Sequence, residues 1–217
     1  MKLGVYGGTF DPIHEGHLAV ARAAKEAHDL DRVLVVPAAC PPHKRGAKAS
    51  DSHRLAMVEL ALRGEKGLVP SDIEIRRGGT SYTVDTLREL GADHPGAEIF
   101  LIVGGDSVVD LPLWRSVAEI FARARIVAVD RPGHEVRFDP ERFPAVPRER
   151  LEQAERDRVR MEPHPASSRE IRARLARGER DVPYLPPLVR EHIERHGLYG
   201  EADDRGEQAP SMPSSSC

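Results

Sequence analysis

The sequence predicts an α/β fold: a doubly wound parallel sheet with helices on both faces. Two observations carry that prediction. Short β-branched runs such as "EIFLIVG" (98–104) are apolar on both sides, as strands of a buried parallel sheet are. They alternate with segments whose apolar residues recur at helical spacing, the pattern of repeated βαβ units. A chain of 217 residues with 40% hydrophobic content buries such a core without staples.

In chain order, "LGVYG" (3–7) reads as the first strand and "GHLAVARAAKEAHDL" (16–30) as the first helix. "RVLVVP" (32–37) is the second strand, followed by helical patterns in "DSHRLAMVELAL" (51–62) and "SYTVDTLREL" (81–90). After the strand 98–104 come the helical "WRSVAEIFARA" (114–124) and the strand "RIVAVD" (125–130). The stretch 132–160, Pro-rich and then charged, reads as a loop and an exposed helix of the same domain. In "SSREIR" (167–172), Ser167 and Glu170 have capping-box spacing, which predicts a helix starting there. From Glu201 the chain is rich in Ser, Pro and charge without apolar periodicity, so residues 201–217 are expected to be a disordered tail behind a domain of residues 1–200.

Thirty-two Lys and Arg against 35 Asp and Glu leave a formal charge of −3, so a nucleic-acid partner draws no support from overall charge. No apolar run approaches the roughly 18 to 20 residues that span a bilayer, and "MKLGVYGGTFDP" does not read as a signal peptide. Cys40 and Cys217 form neither a disulfide framework nor a zinc pattern, which fits free thiols in a reducing cytoplasm.

The chemistry concentrates in "GVYGGTFDPIHEGHL" (4–18). A strand ending in Gly7 and Gly8 lets backbone approach a bulky anion, and the helix beginning near Gly16 aims its free N–H groups at the same point. His14 and His17, three apart at that helix start, project to one side and can donate to the oxygens of a phosphorus centre. A metal pair or two surface residues would show the same spacing. Lys44, after two prolines, is a charge held on a stiffened loop or a solvated lysine. Arg172, about one turn into its helix, can add a guanidinium to an anion site. Asp106 follows the end of strand 98–104, where open α/β sheets bind ligands, or caps the next helix. Trp114, the single tryptophan, is a core anchor or a stacking surface, and Thr83 reads as a helix N-terminal threonine.

The H-x-G-H run in "GGTFDPIHEGHL" closely resembles the nucleotidyltransferase superfamily that carries this signature. Within it, the chain from residue 3 to about 199 resembles the bacterial nicotinate-nucleotide adenylyltransferases. The further landmarks are "PPHK" (41–44), "SYTVDTLREL", "VGGDSVVDLPLW" (103–114), "RPG" (131–133), "SSREIR" and "HGLY" (196–199). The resemblance implies a Rossmann-like fold and transfer of AMP from ATP to nicotinate mononucleotide in NAD biosynthesis. It implies catalytic roles for His14, His17, Lys44 and Arg172. ATP contacts are implied at Gly7, Gly8, Thr9, Phe10, His17, Gly104, Asp106, Ser167, Ser168 and Arg172, and nicotinate-nucleotide contacts at Thr83, Trp114 and Lys44. Mg2+ is expected as a bridge between ATP phosphates, without a dedicated protein cage; a homo-oligomer is compatible with this reading. The chain departs from the family at Arg169, where a threonine is common, so a hydroxyl is lost and a cation gained.

Overall fold

The computed structural model describes residues 1–39, 47–130 and 137–200. Among the described residues six strands form one sheet: β1 (Lys2–Gly8), β2 (Arg32–Pro37), β3 (Leu68–Pro70), β4 (Glu98–Gly104), β5 (Arg125–Asp130) and β6 (Val159–Arg160). Their order is β3-β2-β1-β4-β5-β6, and every neighbouring pair is parallel. The chain winds outward in one direction from β1 and in the other from β4, so the β1/β4 junction is the topological switch point at which open α/β sheets bind ligands.

The alternation of side chains along each strand separates two cores. On one face Val33, Val35, Phe100, Ile102, Val127 and Val129 pack with α1 (Glu15–Ala27), α2 (Asp51–Ala61), α8 (Ser168–Ala176) and α9 (Pro187–His196). On the other, Leu34, Val36, Ile99, Leu101, Ile126 and Ala128 pack with α3 (Ile73–Arg77), α4 (Thr83–Asp93), α5 (Gly105–Val108), α6 (Val117–Arg123) and α7 (Arg148–Arg156). Burying each such side chain contributes about 1.5–3 kcal/mol, and strands covered on both faces account for their uninterrupted apolar runs.

The strands at 3–7, 32–37, 98–104 and 125–130 stand where the sequence puts them, to within a residue. β3 and β6, of 3 and 2 residues, are too short for a periodic signal. The helix expected over 114–124 begins only at Val117, because Leu111–Leu113 form a 3-10 turn and Ser116 takes a left-handed φ of 55° that breaks the run. Of the stretch 132–160, the described part, 137–160, is less open than expected. Phe138 and Phe143 are buried against Phe121, at ring distances of 6.1 and 5.5 Å, and α7 turns Leu151 and Ala154 into the same core while its other face is wet. The expected tail, 201–217, lies outside the described residues.

Candidate active site

β1 and β4 pair from Lys2 with Glu98 to Tyr6 with Ile102, two residues short of the carboxyl end of either strand. Gly7, although on a central strand, is exposed there, and Gly8 and Gly104 are part-exposed. A Cβ on Gly7 would meet nothing within 4 Å. Gly8 is different: a Cβ there would lie 2.8 Å from Cε1 and Cζ of Phe10. Phe10 holds a left-handed φ of 49°, a conformation that costs a non-glycine residue on the order of 1 kcal/mol or more. Packing keeps it there, with the ring edge-on to Tyr6 at 5.5 Å and to His17 at 5.1 Å.

His14 is the N-cap of α1, and His17 sits at its third helical position. Their rings stack at 3.7 Å between centroids and 19° between planes. Gly16 makes room for this: a Cβ there would sit 3.1 Å from the His14 ring and 3.3 Å from His164 Nδ1. The backbone N–H of His14 donates to His17 Nδ1 at 3.2 Å. An Nδ1 that accepts carries no proton, so a neutral His17 bears its proton on Nε2 and can donate from that side. The α1 dipole adds positive potential at the same place, but the first-turn N–H groups are not all free, as the sequence suggests they would be: Glu15 N donates to Tyr184 O and His17 N to His14 O, both at 2.9 Å.

Asp11, which the sequence reading did not single out, organises the loop after β1. Its buried carboxylate accepts from Lys48 N at 2.8 Å, Ala49 N at 3.1 Å and the Tyr199 hydroxyl at 2.6 Å. Burial and the Asp11 charge push the Tyr199 phenol well above its ordinary range. Arg54 is fully buried and donates to Thr9 O at 2.8 Å, Ala39 O at 3.3 Å and Asp51 at 2.5 Å. Asp11 and Tyr199 lie inside "TFDP" and "HGLY", but their partners are 37 to 188 residues away in sequence, and no local pattern announces such contacts.

Arg172 is brought to this loop, donating to Asp11 O at 2.6 Å, as is Ser168, whose hydroxyl donates to Pro12 O at 3.0 Å. α8 begins where the Ser167–Glu170 spacing puts it, with Ser167 as N-cap, but Ser167 makes no side-chain cap hydrogen bond. Glu170 turns instead to Arg174 at 3.2 Å. Ser167 and Arg169 are exposed.

On the opposite face of the sheet, Ser81 Oγ accepts from Ala39 N at 2.9 Å, tying the start of α4 to the chain after β2. Thr83 is the first residue of α4. Its neighbour Tyr82 carries the Arg115 guanidinium over its ring at 4.6 Å, which joins this turn to the segment of Trp114. Trp114 is part-buried beside the second core. Asp106 lies on the backbone of α5, directly past β4. Lys44 lies outside the described residues. A separate cleft of about 850 Å3, lined by Phe138, Glu155 and Arg158 among others, includes none of the predicted site residues. Its Arg158 is paired with Asp130 and Glu155.

A cytidylyltransferase-like family profile matches residues 5–174. A protein of Thermomicrobium roseum named "probable nicotinate-nucleotide adenylyltransferase" is 44% identical over 203 residues, covering 91% of either chain. A Geobacter protein of the same name is 40% identical over 216 residues, covering 93% of this chain and all of its own. Among solved structures, the fold resembles a Plasmodium falciparum nicotinic acid mononucleotide adenylyltransferase complexed with NaAD. That TM-score is 0.69 at 20% identity, over 91% of this chain and 97% of the other. The same enzyme complexed with APC gives 0.67 at 19% identity, over 91% and 96%.

Proposed function

The chain belongs to the cytidylyltransferase-like family and, with those relatives, to the nicotinate-nucleotide adenylyltransferases, and we propose that the opening between β1 and β4 is where its reaction takes place. The reaction is transfer of AMP from ATP to nicotinate mononucleotide, giving nicotinate adenine dinucleotide and pyrophosphate. A phosphate oxygen of the mononucleotide forms the new bond to the α-phosphorus in line with the bridging oxygen that leaves on pyrophosphate. The attacking phosphate is already anionic, so no protein nucleophile is required.

The observation that carries the site assignment is the stacked His14–His17 pair at the start of α1, beside the exposed Gly7. His17 offers its Nε2 proton to the transferring phosphate, while the His14 ring and the positive end of the α1 dipole stabilise charge beside it. Gly7, Gly8, Thr9 and Phe10 form the backbone cradle. Arg172 and Lys44 serve the triphosphate, with Gly104, Asp106, Ser167 and Ser168 completing the ATP contacts. The acceptor nucleotide lies toward Thr83 and Trp114, on the other side of the sheet edge. ATP then enters over α1 and α8, and one phosphorus bridges two subsites that need only positioning and charge stabilisation.

A Mg2+ ion carried in on ATP would neutralise phosphate charge and would be held by phosphate oxygens and water. The carboxylate of the signature loop, Asp11, accepts from Lys48 N, Ala49 N and the Tyr199 hydroxyl. No helix among the described residues is long and apolar enough to cross a membrane; we place the reaction in the cytoplasm, where ATP and the mononucleotide meet.

The test is pyrophosphate release from ATP with nicotinate mononucleotide, nicotinamide mononucleotide and phosphopantetheine assayed in parallel, in the natural chain and in His17→Ala. The nicotinate nucleotide should be the preferred acceptor. His17→Ala should lose about 10²- to 10³-fold in kcat, or about 2.7–4 kcal/mol of barrier, as for an oxyanion donor. Near-full turnover of His17→Ala at saturating substrates would remove the histidine pair from the mechanism.

A further inference from the structure

A second histidine group, made of none of the residues assigned to the opening, lies between α2 and α9. His192 and His196, four apart, share one face of α9, and His53 faces them from the third position of α2, whose backbone is held by the Ser50 cap. His53 Nδ1 and His192 Nε2 are 3.1 Å apart. One ring nitrogen from each of the three lies within 4.8 Å of the others. Among the described residues this is the one group of three or more His, Cys, Asp or Glu side chains so arranged.

We propose that His53, His192 and His196 form a binding site for a divalent transition-metal ion of the Zn2+ class, with solvent in the fourth position. Three imidazoles around a tetrahedral ion at about 2.0–2.1 Å stand roughly 3.3–3.4 Å from one another. The His53–His192 edge has nearly that length already. The remaining edges close by side-chain rotation, for which His196, exposed on the last turn of α9, is free to swing. An all-nitrogen donor set selects Zn2+, Co2+, Ni2+ or Cu2+ and rejects Mg2+, which demands oxygen ligands, so the site does not compete for the ion that travels with ATP.

The position of the group gives the metal a task. His53 immediately precedes Arg54, which holds the Thr9 and Ala39 carbonyls, and His196 lies three residues before Tyr199, which donates to Asp11. An ion bridging α2 and α9 therefore clamps together the two outside supports of the signature loop. The site shares no residue with those assigned to the catalytic opening, and its detection requires no turnover.

The experiment titrates the metal-stripped full chain with Zn2+ against a chromophoric chelator, and with Co2+ followed by visible d–d absorption. One equivalent per chain is expected, with tetrahedral-type Co2+ bands. At a hundredfold excess over Kd, Tm should rise on the order of 5 to 10 °C. His196→Ala, at an exposed position that folding tolerates, should weaken Zn2+ binding by about 10-fold or more. The triple His53→Ala, His192→Ala, His196→Ala chain should lose the bands, while His14→Ala, His17→Ala keeps them. Absence of stoichiometric binding to the natural chain, or binding that survives His196→Ala unchanged, overturns the assignment.

Discussion

Replacing Tyr199 by Phe removes one hydroxyl from the signature loop and leaves the ring in place. The lost bond, 2.6 Å from phenol to Asp11 Oδ1, is buried and made to a charged group. Bonds of that class are worth about 1.5–3 kcal/mol. Asp11 keeps the Lys48 and Ala49 N–H groups, so its charge is not orphaned. The loss belongs in the lower half of that range, about 1.5–2 kcal/mol, or a fall in Tm of about 3–8 °C for a domain of this size. The pH dependence supplies an independent sign. The Tyr199 phenol is raised from its ordinary value of 10.0 by burial and by Asp11. The native state therefore keeps a proton that the unfolded chain releases as pH passes 10, so this contribution is present below pH 10 and declines above it. Urea unfolding at pH 7 and at about pH 11 should show the gap between the natural chain and Tyr199→Phe narrowing as pH rises. A loss below about 0.5 kcal/mol at neutral pH, or a gap that stays constant with pH, would refute the reasoning.

The neighbouring glycines should separate packing from ligand approach. Gly8→Ala drives a Cβ to 2.8 Å from the buried Phe10 ring and should cost about 1–3 kcal/mol in thermal unfolding, whereas Gly7→Ala, with nothing within 4 Å, should fold normally and raise KM for ATP. Arg54→Met leaves two loop carbonyls without their buried donor and should lower stability by about 3 kcal/mol, read as a shift in the urea midpoint. Arg172→Ala should raise KM for ATP more than KM for the mononucleotide in steady-state assays, because its guanidinium lies at the signature loop rather than beside Trp114.

The histidine pair, the glycines before it and the strands on either side of the opening were legible because each is a local pattern. A β-branched run, an H-x-G-H spacing and a Ser at a helix start depend on residues within one turn or one strand. The Ser167–Glu170 spacing shows how far such patterns reach: the helix formed, yet the cap bond did not, and Glu170 chose Arg174 instead. Reciprocal capping appears at α1, where histidines rather than Ser and Glu take the two positions.

Periodicity along the chain sufficed for a parallel α/β sheet, because burial on both faces of a strand and on one face of a helix imposes its period residue by residue. Long-range closure decided the rest. Asp11 became the hub of the site only when Lys48, Ala49, Arg172 and Tyr199 converged on it, and Arg54 became a support of the loop only when α2 settled beside β1. Such contacts carry no spacing rule, since a buried charge takes whichever donors the packed chain delivers to it.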